Sequence, residues 1–149
     1  MQFGWINVFG AVIMLLIMAP NFIYAARFKD AENKCTSKLM NALEQVGRYG
    51  SFILMIINLG IKEFAFRSNA EFIVWLALTA LLIIAYWVFW FFFFKKQTRF
   101  VSLMLAVIPC LIFLTSGVVF RHWLLIIFTL IFAVGHIYIT LVNAKSLEK

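Results

Sequence analysis

The chain has 149 residues, of which 65% are apolar, 18% are aromatic and only 13% are charged, and its net charge is +7. Soluble domains are about 45–50% apolar and 25% charged, so a chain of this length folded in water would leave many apolar side chains exposed. The composition excludes a disordered chain, a collagen, a disulfide-rich secreted module and an ordinary cytosolic enzyme, and it predicts an all-α integral membrane protein.

Five apolar runs are candidates for membrane-spanning helices, because crossing the hydrocarbon layer takes about 20 apolar residues. In chain order we expect them at about 3–26, 49–66, 72–94, 100–120 and 123–142. An amphipathic cytoplasmic loop, 27–48, joins the first two, and the chain forms a single transmembrane domain. The second run is the weakest, because Lys62 and Glu63 interrupt it. The sequence therefore predicts a polytopic helical bundle with five spans.

The basic residues indicate the orientation, since Lys and Arg in short loops remain on the cytoplasmic side. With five spans, ten of the 13 basic residues fall on one side and three on the other. The larger group is Arg27, Lys29, Lys34, Lys38, Arg48, Lys95, Lys96, Arg99, Lys145 and Lys149, and the smaller group is Lys62, Arg67 and Arg121. Omitting the second span would remove most of this asymmetry. The pattern predicts an outside N-terminus and an inside C-terminus, with anionic inner-leaflet lipids rather than nucleic acid as partners.

An aromatic run, Trp90 to Phe94, ends the third span just before Lys95 and Lys96. This arrangement is typical of an interfacial belt, in which aromatic rings anchor a helix end and lysines extend toward the headgroups. We therefore expect the run to anchor the helix rather than to bind single-stranded nucleic acid.

A polar stripe is predicted on the second helix if that helix begins at Lys38. Its members recur at intervals of three and four residues, which places them on one helix face. They are Glu44, Arg48, Ser51, Met55, Asn58 and Lys62. Gly47 and Gly50 beside the stripe would let a neighbouring helix approach closely. The stripe could serve a substrate or an ion, and the plainer alternative is a helix-packing seam with hydrogen bonds of about 0.6 kcal/mol each.

Other polar residues lie inside the predicted spans, where ionisable and amide groups are default pointers to function. Asn21 and Tyr24 are near the inner end of the first span, and His136 is about two turns from the inner end of the fifth. A neutral histidine bonded to another helix is the alternative reading of His136. The candidate binding residues are Asn21, Tyr24, Glu44, Arg48, Asn58 and His136, with Glu44 and Arg48 as an i,i+4 pair at the mouth of the site.

No catalytic residue, cofactor or metal site is predicted. The sequence has no Walker-type phosphate loop, dinucleotide glycine motif, HExxH, paired CxxC or nucleophile elbow. Asp30 is the single aspartate of the chain, so a carboxylate-held metal site is poorly supported.

Three short stretches carry a resemblance: Pro20 to Ala25, Glu44 to Gly50, and His136 to Asn143. They resemble a group of small, uncharacterised bacterial multi-span membrane proteins, and the likeness covers nearly the whole chain. The resemblance implies a multi-pass protein of the bacterial cytoplasmic (inner) membrane, and it implies no activity.

Together these patterns predict a non-enzymatic membrane protein that binds a small molecule or an ion, or acts as a permease or accessory subunit, through a polar seam open to the cytoplasm. The alternative is an interaction protein without a substrate, such as an immunity or sensor component of a larger membrane complex. A homo-oligomer is compatible with either. A membrane-embedded enzyme acting on lipid is the least favoured reading, because the groups for such chemistry are missing at bilayer depth.

Overall fold

The computed structural model describes residues 4–29, 32–59 and 66–148, and over these residues the chain is all-helical. The α-helices are α1 (Val8–Arg27), α2 (Lys38–Ile56), α3 (Asn69–Lys95), α4 (Arg99–Val119) and α5 (Trp123–Ala144), with a 3-10 turn, Lys145–Glu148, after α5. Four of these helices, α1, α3, α4 and α5, are long and apolar enough to cross a membrane.

Each α-helix begins after a residue whose side chain accepts a hydrogen bond from the backbone N–H three positions later. These caps are Asn7, Ser37, Ser68, Thr98 and His122. Such a cap satisfies a backbone donor that has no partner inside the helix. The helix starts are therefore determined by single polar residues at the edges of the apolar runs.

The five helices pack as a closed ring in the order α1, α2, α5, α4 and α3, with α3 returning to α1. Helices α1 and α3 run parallel, because Phe9 packs on Trp75 near one end of the ring and Tyr24 packs on Trp90 near the other. The chain must therefore return between α1 and α3, and α2 is the helix that returns it.

Helices α2 and α5 run antiparallel and approach closely. A Cβ atom at Gly47 would collide with the backbone of Phe132, and one at Gly50 would collide with the ring of Phe128. The predicted role of these two glycines in admitting a neighbouring helix is confirmed. Gly135 on α5 lies in the same way against the backbone of Glu44.

The start and end of α2 differ from the sequence-based expectation. The helix begins at Lys38, so the second half of the predicted loop 27–48 is helical, and it ends at Ile56. The end is fixed by backbone contacts with the segment before α1: the Asn7 N–H donates to Ile56 O (2.7 Å) and the Asn58 N–H donates to Trp5 O (3.0 Å). The prediction that the polar stripe continues helically to Asn58 is therefore wrong, and Lys62 lies outside the described residues.

The two ends of the ring differ in character. At one end of the ring, α1 ends and α2 begins, and α3 ends and α4 begins; we call it the basic end. Its basic residues are Arg27, Lys29, Lys34, Lys38, Lys95, Lys96, Arg99 and Lys145. The opposite end, which we call the closed end, is filled by aromatic rings. Phe66 packs on Phe72, Trp75 and Phe120 with ring centroids 5.0–5.3 Å apart. The Trp75 indole N–H donates to Ser116 Oγ (3.1 Å) beneath them.

A tight turn at the closed end joins α4 to α5. Arg121 adopts a left-handed φ of 55°, and its guanidinium donates to Glu71 Oε1 (2.6 Å), which ties the turn to α3. His122 follows, is 1% exposed and caps α5 through Nδ1, which accepts from the Leu125 N–H (3.3 Å). Burial lowers the pKa of His122, against the smaller opposing effect of nearby backbone hydrogen-bonding groups.

The depressed pKa of His122 predicts a loss of stability in mild acid. The folded protein holds a neutral imidazole, whereas the unfolded chain takes up a proton near the ordinary pKa of about 6.5. Stability should therefore fall by up to about 1.4 kcal/mol per pH unit below that value. We expect thermal unfolding in detergent to show this fall between about pH 7 and 5, and to show less of it in His122→Asn, which keeps a capping side chain. An equal fall in both proteins would contradict the prediction.

Candidate functional site

A cavity of about 510 Å³ lies inside the ring at the basic end. Small-molecule sites typically measure about 300–1,000 Å³. Its walls come from the halves of α1, α3, α4 and α5 nearest the basic end, and residues 32–34 and the C-terminal turn lie at its mouth. Along α5 the lining extends from His136 to Asn143, a length of about 10 Å at the helical rise.

The aromatic wall of the cavity corrects the predicted interfacial belt. Trp90 and Phe93 line the cavity and are only 7% and 9% exposed, whereas Phe91 and Phe92 are 56% and 50% exposed. The Lys95 ammonium lies 4.2 Å from the centre of the Phe91 ring. The run therefore divides by helical position: Phe91 and Phe92 lie on the outer surface of the ring, and Trp90 and Phe93 face its interior.

The inner end of the cavity is closed by a hydrogen bond between α1 and α3. Asn21 Nδ2 donates to Tyr86 Oη (2.8 Å) and to Ile17 O (2.8 Å). Pro20, one residue earlier, has no N–H for the carbonyl of Leu16, and the Trp87 indole N–H donates to that carbonyl instead (3.0 Å). The proline in α1 is thus accommodated by a neighbouring helix, and the cavity floor is a tied junction.

The polar wall is organised by a carboxylate behind His136. Glu44 Oε1 lies 3.3 Å from His136 Nδ1, and it also accepts from Arg48 Nε (2.8 Å) and pairs with Arg48 Nη2. The Glu44 side chain is 6% exposed, and the Phe132 ring stacks on the imidazole at 4.6 Å. Gly135 admits the α2 backbone at this level, so the close approach of α2 and α5 brings Glu44 to His136.

Three asparagine side chains close the loop over the mouth, and we call Asn33, Asn41 and Asn143 the amide clasp. Asn33 Nδ2 donates to Asn41 Oδ1 (2.8 Å), and Asn143 Nδ2 donates to Asn33 Oδ1 (3.3 Å). Asn143 Oδ1 accepts from the Lys34 N–H (2.9 Å). The clasp therefore fixes the connection between α1 and α2 to the end of α5, beside the cavity.

The structure brings most of the predicted site residues together. Asn21, Tyr24 and His136 line the cavity. Glu44 and Arg48 form the predicted i,i+4 pair, but the pair is not at the mouth of the site: neither residue lines the cavity, and the Glu44 carboxylate lies against His136 from behind. Asn58 does not join them: it lies at the closed end, about 20 Å further along α2, where its Nδ2 donates to Gly4 O (2.6 Å).

Sequence reasoning missed several further polar or aromatic lining residues. Among them are Tyr86, Trp90, Ser102 and Thr140. Tyr86 gave a detectable signal, because it lies seven residues after Thr79 on an otherwise apolar helix and both are buried. Among the described residues, no three His, Cys, Asp or Glu side chains come together as metal ligands.

Comparison of the chain with protein families, with curated proteins and with solved structures gives no match. The resemblance to small bacterial membrane proteins accordingly rests on the three short stretches that suggested it. Any assignment of function must come from the cavity and from the helices that enclose it.

Proposed function

We propose that this chain is a five-span protein of the bacterial inner membrane, with its N-terminus outside, that binds a small molecule in a cavity open to the cytoplasm. The observation that carries the proposal is the 510 Å³ cavity at the basic end, lined by a histidine that a buried carboxylate orients. The proposed activity is binding, as a receptor or as the inward-facing state of a permease.

The outward surface of α2 supports its assignment as a span. Leu39, Val46, Tyr49 and Ile53 are 49–64% exposed, whereas Glu44 is buried against α5. A helix that directs its apolar face outward and its carboxylate inward is suited to lipid rather than water. Its 19 residues extend about 28 Å, close to the hydrocarbon thickness of about 30 Å. The parallel course of α1 and α3 also favours a crossing between them.

The distribution of charge supports the orientation. Eight of the described Lys and Arg residues, those named above, lie at the basic end, and Arg48 lies within α2. Arg67 and Arg121 lie at the closed end. Arg121 is moreover paired with Glu71. The positive field therefore surrounds the cavity mouth, where it would face the anionic inner leaflet.

Side chains fill the space between the helices at the closed end, which favours a cavity open at one end over a continuous pore. Beyond the level of Tyr86, the interior is filled mainly by apolar side chains, including Ile112 and Phe113, which are both 0% exposed; a few buried hydroxyl side chains lie among them. The aromatic cluster around Phe66 follows at the closed end. Passage of a solute would require these groups to move, so the cavity is accessible from the basic end.

Cysteine labelling tests the topology and the cavity together. In a background with Cys35→Ser and Cys110→Ala, we expect Thr140→Cys and Ser146→Cys to react with a membrane-impermeant maleimide in inside-out vesicles and not in intact cells. Gly4→Cys should show the reverse. Val134→Cys is the matched control on α5, because it is 56% exposed but on the outer surface of the ring, and it should stay unlabelled in lipid.

Two results would overturn the proposal, each in a different part. Labelling of Gly4→Cys and Ser146→Cys from the same side would exclude an odd number of crossings. Failure of Thr140→Cys to react from either side, with Ser146→Cys reactive, would exclude a cavity that is open to the cytoplasm.

A further inference from the structure

We propose that the cavity takes a flat, uncharged ring that carries carbonyl or hydroxyl groups, a chemistry shared by membrane quinones and by soluble ring compounds with the same substituents. This inference rests on the proposed function, because it names the ligand class of the same cavity. It follows from three features of the described lining. One wall is aromatic, several hydrogen-bonding atoms have no protein partner, and the charged lining residues lie at the mouth rather than beside the aromatic wall.

The aromatic wall offers a broad apolar surface. Tyr24 packs on Trp90 with ring centroids 5.5 Å apart, and Trp90 packs on Phe93 at 5.4 Å. Tyr86 continues this wall toward the floor, 6.2 Å from Trp90. A planar ring gains offset or edge contacts with such a surface, whereas a branched aliphatic ligand does not.

Two hydrogen-bond donors on this wall are available to a ligand. Trp90 lines the cavity and is more than nine-tenths buried, and its indole N–H, beside the Tyr86 hydroxyl, makes no well-formed hydrogen bond among the described residues. Tyr86 Oη accepts from Asn21, which leaves its own proton to donate. A buried indole N–H without a partner is unfavourable, and a ligand carbonyl beside Trp90 and Tyr86 would supply the acceptor.

A further hydrogen-bonding atom lies on the opposite wall. Glu44 accepts the proton of His136 Nδ1, and the hydrogen bonds of the described part of the chain provide no partner for Nε2 of the same ring. That atom accepts a hydrogen bond from a hydroxyl when the imidazole is neutral and donates one to a carbonyl when the imidazole is protonated. The two walls therefore match a ring with a carbonyl on one edge and a hydroxyl or a second carbonyl on the other.

The charges around the cavity disfavour an ionic ligand. Glu44 is paired with both Arg48 and His136 and does not line the cavity. The charged lining residues in the described part of the chain, Glu32 and Lys34, are of opposite sign and belong to the connection at the mouth. An organic cation or anion seated among Tyr86 and Trp90 would therefore lose its hydration without gaining a counterion.

The test uses the full chain in lipid nanodiscs and menadione (2-methyl-1,4-naphthoquinone) as the probe. We expect saturable binding by equilibrium dialysis and a raised unfolding temperature. Trp90→Phe keeps the ring but removes the N–H, and it should weaken binding at least fivefold, as should Tyr86→Phe and His136→Leu. Trp123→Phe is the matched control: it makes the same change at the start of α5, at the closed end, where the Trp123 side chain is 73% exposed, and it should leave the affinity unchanged.

Three further probes separate the outcomes. Benzyltrimethylammonium and 2-naphthoate carry a ring of similar size with a charge, and we expect neither to bind. A menadione with an isoprenoid tail distinguishes the two sources, when both compounds are compared at equal concentration in the bilayer. Binding at least tenfold tighter than that of menadione indicates a membrane quinone. Equal binding indicates a soluble ring compound.

Either of two results overturns the ring proposal while leaving the proposed binding function intact. One is binding of a charged probe, sensitive to Trp90→Phe, in place of menadione. The other is no menadione binding, or equal binding by the Trp90 and Trp123 variants, in protein whose Thr140→Cys form is labelled from the cytoplasmic side. If Trp90→Phe fails to fold, Tyr86→Phe and His136→Leu decide the same question.

Discussion

Replacing Gly47 with valine is expected to abolish the folded bundle. A Cβ atom at this position would collide with the backbone of Phe132 rather than with a movable side chain, so α2 and α5 would have to separate. Overpacking typically costs about 1–3 kcal/mol and more when it forces a backbone shift, against a total stability of about 5–15 kcal/mol. Size-exclusion chromatography and thermal unfolding in detergent should show aggregated or much less stable protein.

Two other glycines provide the controls for this experiment. Gly4 has nothing within 4 Å of its potential Cβ, and Gly4→Val should behave as the wild type. Gly50 meets only the ring of Phe128, which can rotate away, so Gly50→Ala should be less damaging than Gly47→Val. Wild-type stability in Gly47→Val would show that α2 and α5 are not in contact at this position.

The second large effect is expected from Glu44→Gln, which removes the charge shared by Arg48 and His136. Hydrogen bonds to charged groups contribute about 1.5–3 kcal/mol, but the Arg48 side chain is 40% exposed and can regain water or lipid headgroups. We therefore expect a loss of about 1–2 kcal/mol in unfolding experiments. Because an amide at this position holds His136 Nδ1 less strongly than the carboxylate does, menadione affinity should fall severalfold, and by no more than in His136→Leu.

Glu71→Gln is the matched control, since it breaks the ion pair with Arg121 at the closed end, far from the cavity. It should lower the stability by a similar or smaller amount and leave the affinity unchanged. A double variant, Glu44→Gln with His136→Leu, should bind no more weakly than His136→Leu alone if Glu44 acts through the imidazole. Additive losses of affinity would assign Glu44 a separate role.

The apolar helices were predictable because one property, hydrophobicity over about 20 residues, determines them. The run from Phe72 to Phe94 required no knowledge of its neighbours, and the cap at Ser68 and the lysines after Phe94 set its ends. The end of α2 could not be predicted in this way. The apolar sequence continues past Ile56, and the helix stops there because the segment before α1 bonds to this part of the chain: the Asn7 N–H donates to Ile56 O, and the Asn58 N–H, just after the helix, donates to Trp5 O.

The site was predictable as a set of residue types but not as an arrangement. Unusual polar residues in apolar runs identified Asn21, Glu44 and His136, yet the contact between the last two depends on how α2 and α5 are rotated about their axes. Gly135, directly before His136, was the available signal for that rotation. Trp90 was misassigned because an aromatic run of five shows no period, and only packing distinguishes its inner from its outer rings.

The closed order of the ring has a consequence for biosynthesis. Helix α2 emerges from the ribosome before α5, and α5 supplies the surface that covers the α2 carboxylate. Until α5 has been made, Glu44 has Arg48 but lacks His136 and the cover of the α5 backbone. Nascent chains that stop before His136 would leave exposed a carboxylate that the folded chain buries, the kind of defect by which a cell's proteases can recognise an incomplete product.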